Sequence, residues 1–170
     1  DLLNAINSKT ASIFWFQGAM NKPSELPLQE VIAIAKTKDI PVIVDAAAQL
    51  PPVSNLWNFT KMGAALAIFS GGKELSGPQS SGLVLGRADL IEAIRFHASP
   101  NQGIGRPMKV GKEEMMGLLA AIERYLTLDH DPRAQKFEDI VSFWNKGLSG
   151  LGGITAWRDF PNEAGQPAPR

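Results

Sequence analysis

The sequence contains no cysteine, which excludes disulfides, zinc–thiolate centres and thiol catalysis together. Histidine is almost missing too: His97 and His130 are the whole complement, too few for a histidine-rich metal site. Neither sign of charge is in excess, since 17 Lys and Arg balance 17 Asp and Glu. That balance gives no electrostatic case for nucleic acid or an anionic membrane as a partner. No apolar run approaches the roughly 18 residues that span a bilayer, and no basic-then-apolar leader opens the chain. Internal repeats and low-complexity tracts are lacking as well.

What is present is enough apolar material for a core: 44% of the 170 residues are hydrophobic and 20% charged, which argues against wholesale disorder. The length suits one compact domain, or one domain and part of another. The expectation is a neutral, soluble, cytoplasmic globular protein. Asp1 stands where Met would open a complete chain, and residues 161–170 carry no apolar periodicity, so a segment of something longer is expected.

Four short apolar runs read as strands, near 12–17, 41–45, 65–69 and 82–85. The second, Pro41-Val-Ile-Val-Asp45, lacks polar alternation, as do strands covered on both faces. Helical patterns fall at Leu28–Lys38, Leu56–Met62, Arg87–Phe96, Lys112–Leu126 and Asp131–Leu148. In the fourth of these, Met115, Leu118, Leu119, Ile122 and Leu126 mark the expected buried face, with Glu113 and Glu114 placed to complement the dipole. The alternation predicts an α/β domain with three layers and a mainly parallel sheet. Only a short Ser/Gly turn precedes the 82–85 run, which therefore has the option of running antiparallel. Ligands collect at the carboxyl ends of such strands, which singles out Gln17, Asp45 and the turn Ser70-Gly-Gly-Lys73.

Asp45 closes an apolar strand and precedes three alanines; a helix N-cap and a functional carboxylate are equally open readings. Lys73 follows two glycines, which let backbone N–H groups approach an anion, and a lysine near apolar walls loses its proton more readily and forms imines. A solvated lysine in a surface turn is the plain alternative. A phosphate-binding P-loop fails because Ala67 and Glu74 stand where it needs Gly and Ser or Thr. Ser70-x-x-Lys73 formally matches a serine acyl-enzyme, but Gly-Gly resists the helix that motif opens, and its companion motifs are missing. No Gly-x-Ser-x-Gly occurs.

Three ordered segments carry a more specific signal: Val44-Asp45-Ala-Ala-Ala-Gln49-Leu-Pro-Pro, then Ala67-Ile-Phe-Ser70-Gly-Gly-Lys73-Glu-Leu-Ser-Gly77-Pro78-Gln79-Ser-Ser-Gly82, then Gly103-Ile-Gly-Arg106-Pro-Met-Lys109. Together they resemble the fold-type-I pyridoxal-phosphate enzymes, in the selenocysteine-synthase-like branch that includes D-glucosaminate-6-phosphate ammonia-lyase. The resemblance covers roughly residues 11–126. It implies that Asp45 pairs with the pyridine nitrogen of pyridoxal phosphate, that Lys73 holds the cofactor as a Schiff base, that Ser70 binds its phosphate and that Ala47 lies against the ring. Gln49 is the candidate for the ring hydroxyl, with Gln17 as an alternative, and Arg106 (with Lys109) for an anionic substrate group or a neighbouring subunit's phosphate. Relatives in the class V group often carry His before the lysine, where this chain has Gly72.

The resemblance further implies a large-domain part over 1–128 and the truncated start of a small domain over 129–170. A homodimer follows, with Gly77-Pro78-Gln79 and 103–109 near its interface. The expected activity is an α,β-eliminating ammonia-lyase acting on an amino acid or amino-sugar acid, with the isolated chain incomplete. A seryl-tRNA selenium transferase, a class V aminotransferase and a cofactor-free remnant of the fold are the alternatives.

Overall fold

The computed structural model describes residues 1–18, 26–159 and 168–169. After a four-residue helix α1 (Leu2–Ala5), the chain runs β1 (Ile13–Phe16), α2 (Leu28–Lys36), β2 (Val42–Asp45), α3 (Asn55–Met62), β3 (Leu66–Ser70) and β4 (Gly82–Gly86). Then come α4 (Ala88–His97), α5 (Lys112–Thr127), α6 (Asp131–Leu148) and a two-residue ribbon, β5 (Arg158–Asp159) with β6 (Ala168–Pro169). The four expected strands and five expected helices are all present, within one or two residues.

Strand order in the main sheet follows the sequence, β1-β2-β3-β4, with β1, β2 and β3 parallel and β4 antiparallel to β3. This is the mainly parallel α/β sheet the sequence implies. Val42 and Val44 of β2 and Ala67 and Phe69 of β3 point to one face, where they meet Leu28, Val31, Ile32 and Ala35 of α2 and Leu56 and Phe59 of α3. Those α2 positions recur every three or four residues, which is why one stripe of a nine-residue helix can be wholly buried. Phe59 and Phe69 pack as a tilted pair with centroids 6.2 Å apart. α3 stops at Gly63, whose φ of +109° is a left-handed cap that a side chain would resist.

The register puts Phe14, Phe16, Ile43, Asp45, Ile68 and Ser70 on the other face. That face is more open, and Phe14 is 61% exposed.

α5 meets expectation only in part. Leu118 of the predicted face is buried and Ile122 packs against the core, but Met115, Leu119 and Leu126 are exposed, and Ala121 and Tyr125 are buried in their place. The reason lies in the turn after β3. A Cβ on Gly71 would come within 3.0 Å of Leu118 Cδ1, and one on Gly77 within 3.2 Å of Ala121 Cβ. The helix therefore sits down on glycines, through its small and aromatic side rather than its most aliphatic one. Among the described residues no helix is long and apolar enough to cross a membrane.

Candidate active site

The parallel arrangement brings the ends of β1, β2 and β3 side by side. Gln17 N donates to Asp45 O at 3.0 Å and Ala46 N donates to Ile68 O at 2.8 Å, so backbone hydrogen bonds lock the three strand ends in register. There a cleft of about 140 Å³ is lined by Phe16, Gln17, Gly18, Asp45, Ala47, Ala48 and Lys73. At about 30 Å³ per water this is room for an aromatic ring.

Asp45 enters the cleft from the last position of β2. Its Oδ1 accepts from Ala47 N at 3.0 Å, and Oδ2 has no partner among the described residues. No helix follows until Asn55, so Asp45 is not a helix N-cap; it closes a turn on itself and keeps one oxygen for the cleft. Ala47 presents only a methyl group there, and the fully buried Val44 and Ala46 on either side of Asp45 fix the backbone.

Lys73 lies in the turn 71–75, with its side chain exposed. The turn is closed by Gly77 N donating to Gly71 O at 2.8 Å, Ser76 N to Lys73 O at 2.9 Å and Gln79 Nε2 to Gly72 O at 3.2 Å. The expected cradle of glycine N–H groups is only partly available, because Gly71 N donates to Ser81 O at 2.9 Å. Gly72 has its own reason to be glycine: an added Cβ would lie 2.7 Å from Gln79 Cα, leaving no space for the histidine common at this position.

Of the residues singled out from sequence, Asp45, Ala47, Lys73 and Gln17 share the cleft; Ser70, Gln49 and Arg106 do not line it. Ser70 ends β3 on the same sheet face as Asp45. Gln49 uses its side-chain amide to hold Gln17, Nε2 donating to Gln17 O at 2.9 Å, while Trp15 Nε1 donates to Gln17 Oε1 at 2.9 Å. Gln49 thus supports a cleft residue rather than reaching the cleft. Arg106 belongs to the loop after α4, where Nη1 donates to Ser99 Oγ at 3.3 Å.

A second, larger cavity of about 460 Å³ begins where the loop after Asp45 continues. It is lined by Pro51–Val53, by Glu74, by His130, Asp131, Arg133 and Ala134 at the α6 start, and by Phe137 and Arg158. Glu74 there was not anticipated, nor was its partner Arg133, 59 residues away. Among the described residues no group of His, Cys, Asp and Glu could hold a metal ion.

Residues 1–109 match the sequence model of the family described as aminotransferase class-V. The chain belongs to that family. Its members, the ammonia-lyase relatives included, depend on pyridoxal phosphate. This class-V chain is 38% identical over 155 residues to a 5'-C-glycyluridine monooxygenase-decarboxylase from a Streptomyces species, covering 90% of this chain and 37% of that protein. It is 36% identical over 125 residues to the D-glucosaminate-6-phosphate ammonia lyase of Salmonella typhimurium, covering 73% of this chain and 32% of the relative. A solved structure of D-glucosaminate-6-phosphate ammonia-lyase superposes with a TM-score of 0.73 at 32% identity, covering 99% of this chain and 42% of that one. The chain thus spans well under half the length of the relatives it matches.

The cleft fits the family's cofactor by its donor set. A carboxylate with an unused oxygen, a methyl-sized neighbour and a lysine amine face one ring-sized space.

Proposed function

We propose that the protein to which this chain belongs is a pyridoxal-phosphate-dependent enzyme that eliminates ammonia from a small amino acid or amino-sugar acid. The observation that carries this reading is the convergence of Asp45, Ala47 and Lys73 on one cleft from two different strand ends. When bound, the cofactor supplies an electron sink for the carbon next to the substrate amine.

The chain's own residues do the rest. Asp45 Oδ2 pairs with a protonated ring nitrogen, and the Ala47 N–H on Oδ1 keeps the carboxylate aimed. Ala47 leaves the ring face unobstructed. Lys73 Nζ holds the cofactor until substrate arrives and then moves the proton at the substrate's α-carbon. Ser70 and the turn amides contribute to the phosphate, Gln17 (held in place by Gln49) to the ring hydroxyl, and Arg106 to an anionic substrate group. In the net reaction the α-hydrogen and a β-hydroxyl leave as water. Hydrolysis of the resulting enamine then gives a keto acid and ammonia.

A second reading is oxidative decarboxylation, supported by the 38% identity to the monooxygenase-decarboxylase. Borohydride reduction of the full-length protein loaded with pyridoxal phosphate should label Lys73. Assays with amino-sugar acids then divide the readings. Ammonia released without oxygen uptake or a keto-acid acceptor supports elimination. Oxygen uptake with carbon dioxide release supports the second reading, and dependence on an acceptor supports transamination. Failure to label Lys73 refutes the site.

The same proposal includes a homodimer in the cytoplasm, with residues 129–170 opening a small C-terminal domain. The loop that carries Arg106 supports the dimer, since Ile104 is 82% and Met108 75% exposed, an apolar surface suited to a second copy.

A further inference from the structure

Lys73 and Glu74 are consecutive, yet they line different cavities. The Glu74 side chain is only 8% exposed, and its ion pair is with Arg133 Nη1 at 2.5 Å, from the first turn of α6. A carboxylate this deeply buried is costly unless a cation meets it, so the pair holds its geometry against a strong penalty for separation.

The other polar fixings of the turn 71–77 are local, reaching no further than Gln79 and Ser81. Among the described residues, the bond from Glu74 is the one polar tie from this turn to a distant part of the chain. We propose that Arg133 is a positioning residue for the reaction: by holding Glu74 it fixes the turn that carries Lys73, and so sets how the lysine amine presents itself to the cleft. This inference rests on the cofactor role of Lys73 given above.

The surroundings of Glu74 agree with a built anchor. Arg133 and His130 face it from α6 and its approach, Tyr125 from α5, and Asp131 and Arg158 line the same cavity. Burial pushes the Glu74 carboxyl above its ordinary range, while Arg133 and then His130 pull it back. His130 is itself pinned, with its ring edge-on to Tyr125 and Nε2 3.1 Å from Tyr125 O. The α5–α6 corner therefore presents Arg133 on a fixed base. Immediately after Glu74, Leu75 is fully buried, so a change at Glu74 is passed to Lys73 rather than absorbed downstream.

The test uses the full-length protein and two ligands. Pyridoxine phosphate lacks the aldehyde and reports the cleft alone; borohydride-trapped pyridoxal phosphate reports the presentation of Lys73. Arg133→Ala should slow covalent capture roughly tenfold while leaving pyridoxine phosphate affinity within about twofold. Arg133→Lys should recover part of the rate. Glu74→Gln should match Arg133→Ala, and the double variant should be no slower than either single one. Arg158→Ala lines the same cavity but pairs with Glu138, and should capture at the parental rate. Parental capture by Arg133→Ala overturns the proposal, as does an equal loss of capture and pyridoxine phosphate affinity, which marks a general structural role. If the parental protein captures no cofactor, the cofactor reading falls and this inference with it.

Discussion

Removing one oxygen from Tyr125 should make the protein more stable. Tyr125 is 1% exposed on α5, and its hydroxyl is buried with no hydrogen-bond partner among the described residues. Burying such a hydroxyl costs about 1–3 kcal/mol relative to leaving it in water. Tyr125→Phe keeps the ring edge-on to His130 at 4.6 Å and removes only the orphaned group. Against this gain stands the lost packing of one atom, a few tenths of a kcal/mol. A net stabilisation of about 1 kcal/mol is expected, worth about 2–4 °C in melting temperature for a chain of this size.

The same hydroxyl gives a second readout, because burial first and the nearby Glu74 second push its pKa from 10.0 up to about 12. A raised value means that the folded state favours the neutral phenol. The associated stability is complete below about pH 10 and is lost as the pH rises through about 12. Tyr125 is the single tyrosine of the chain, so tyrosinate absorbance follows it without interference. The Phe variant should lack this alkaline component in its melting profile. A Phe variant less stable by more than about 1 kcal/mol would show that the hydroxyl is satisfied, and an ordinary tyrosine titration near 10 would refute the burial argument.

Gly86→Ala places a Cβ 2.1 Å from Ala65 O and 2.9 Å from Leu66 Cα, backbone atoms at the entry to the paired strand β3. A loss of roughly 2–3 kcal/mol in denaturant unfolding is expected, and a loss below about 1 kcal/mol would contradict it. For Glu74, whose carboxyl lies above its ordinary value of 4.5, the stability it contributes is full below that value and lost as pH climbs through the raised one. Glu74→Gln should flatten that stretch of the melting-versus-pH curve, and an unchanged slope would assign it to another group. Replacing Ile104 and Met108 with serine should shift the full-length protein from dimer to monomer in light scattering, with its circular dichroism unchanged; a persistent dimer would place the interface elsewhere.

The strands were legible because each is an unbroken, β-branched or aromatic apolar run bounded by turn residues, whether or not its second face is covered, and the reversal of β4 because its link to β3 is short. The face of α5 was legible only in part. Its aliphatic periodicity correctly marks Leu118 and Ile122, but the close approach of Gly71 and Gly77 turns the helix away from Met115, Leu119 and Leu126 and toward Ala121 and Tyr125, and that approach is a tertiary fact. The two-residue strands of the terminal ribbon are too short to show any period. At the site, Asp45 and Lys73 stand out by position and resemblance. The pattern could not say whether Asp45 caps a helix, and only the Asp45–Ala47 turn decides. Gln49 looked as promising as Gln17, since nothing local shows that it holds its neighbour's carbonyl. Glu74 and Arg133 carry no joint signal at all: 59 residues apart, they are paired by the fold alone.

The cleft borrows its walls from the ends of three strands that lie far apart in the sequence: Phe16 to Gly18; Asp45, Ala47 and Ala48; and Lys73. No subset of the chain short of the whole β1-β2-β3 sheet contains it. A ligand that fills it therefore binds the assembled sheet and not its fragments, and contributes RT ln(1 + [L]/Kd) to the cost of pulling that sheet apart. A ring-sized ligand seated there would therefore raise the unfolding midpoint of the three strands together, in step with its concentration, while leaving the remote α5–α6 corner to follow only through the sheet.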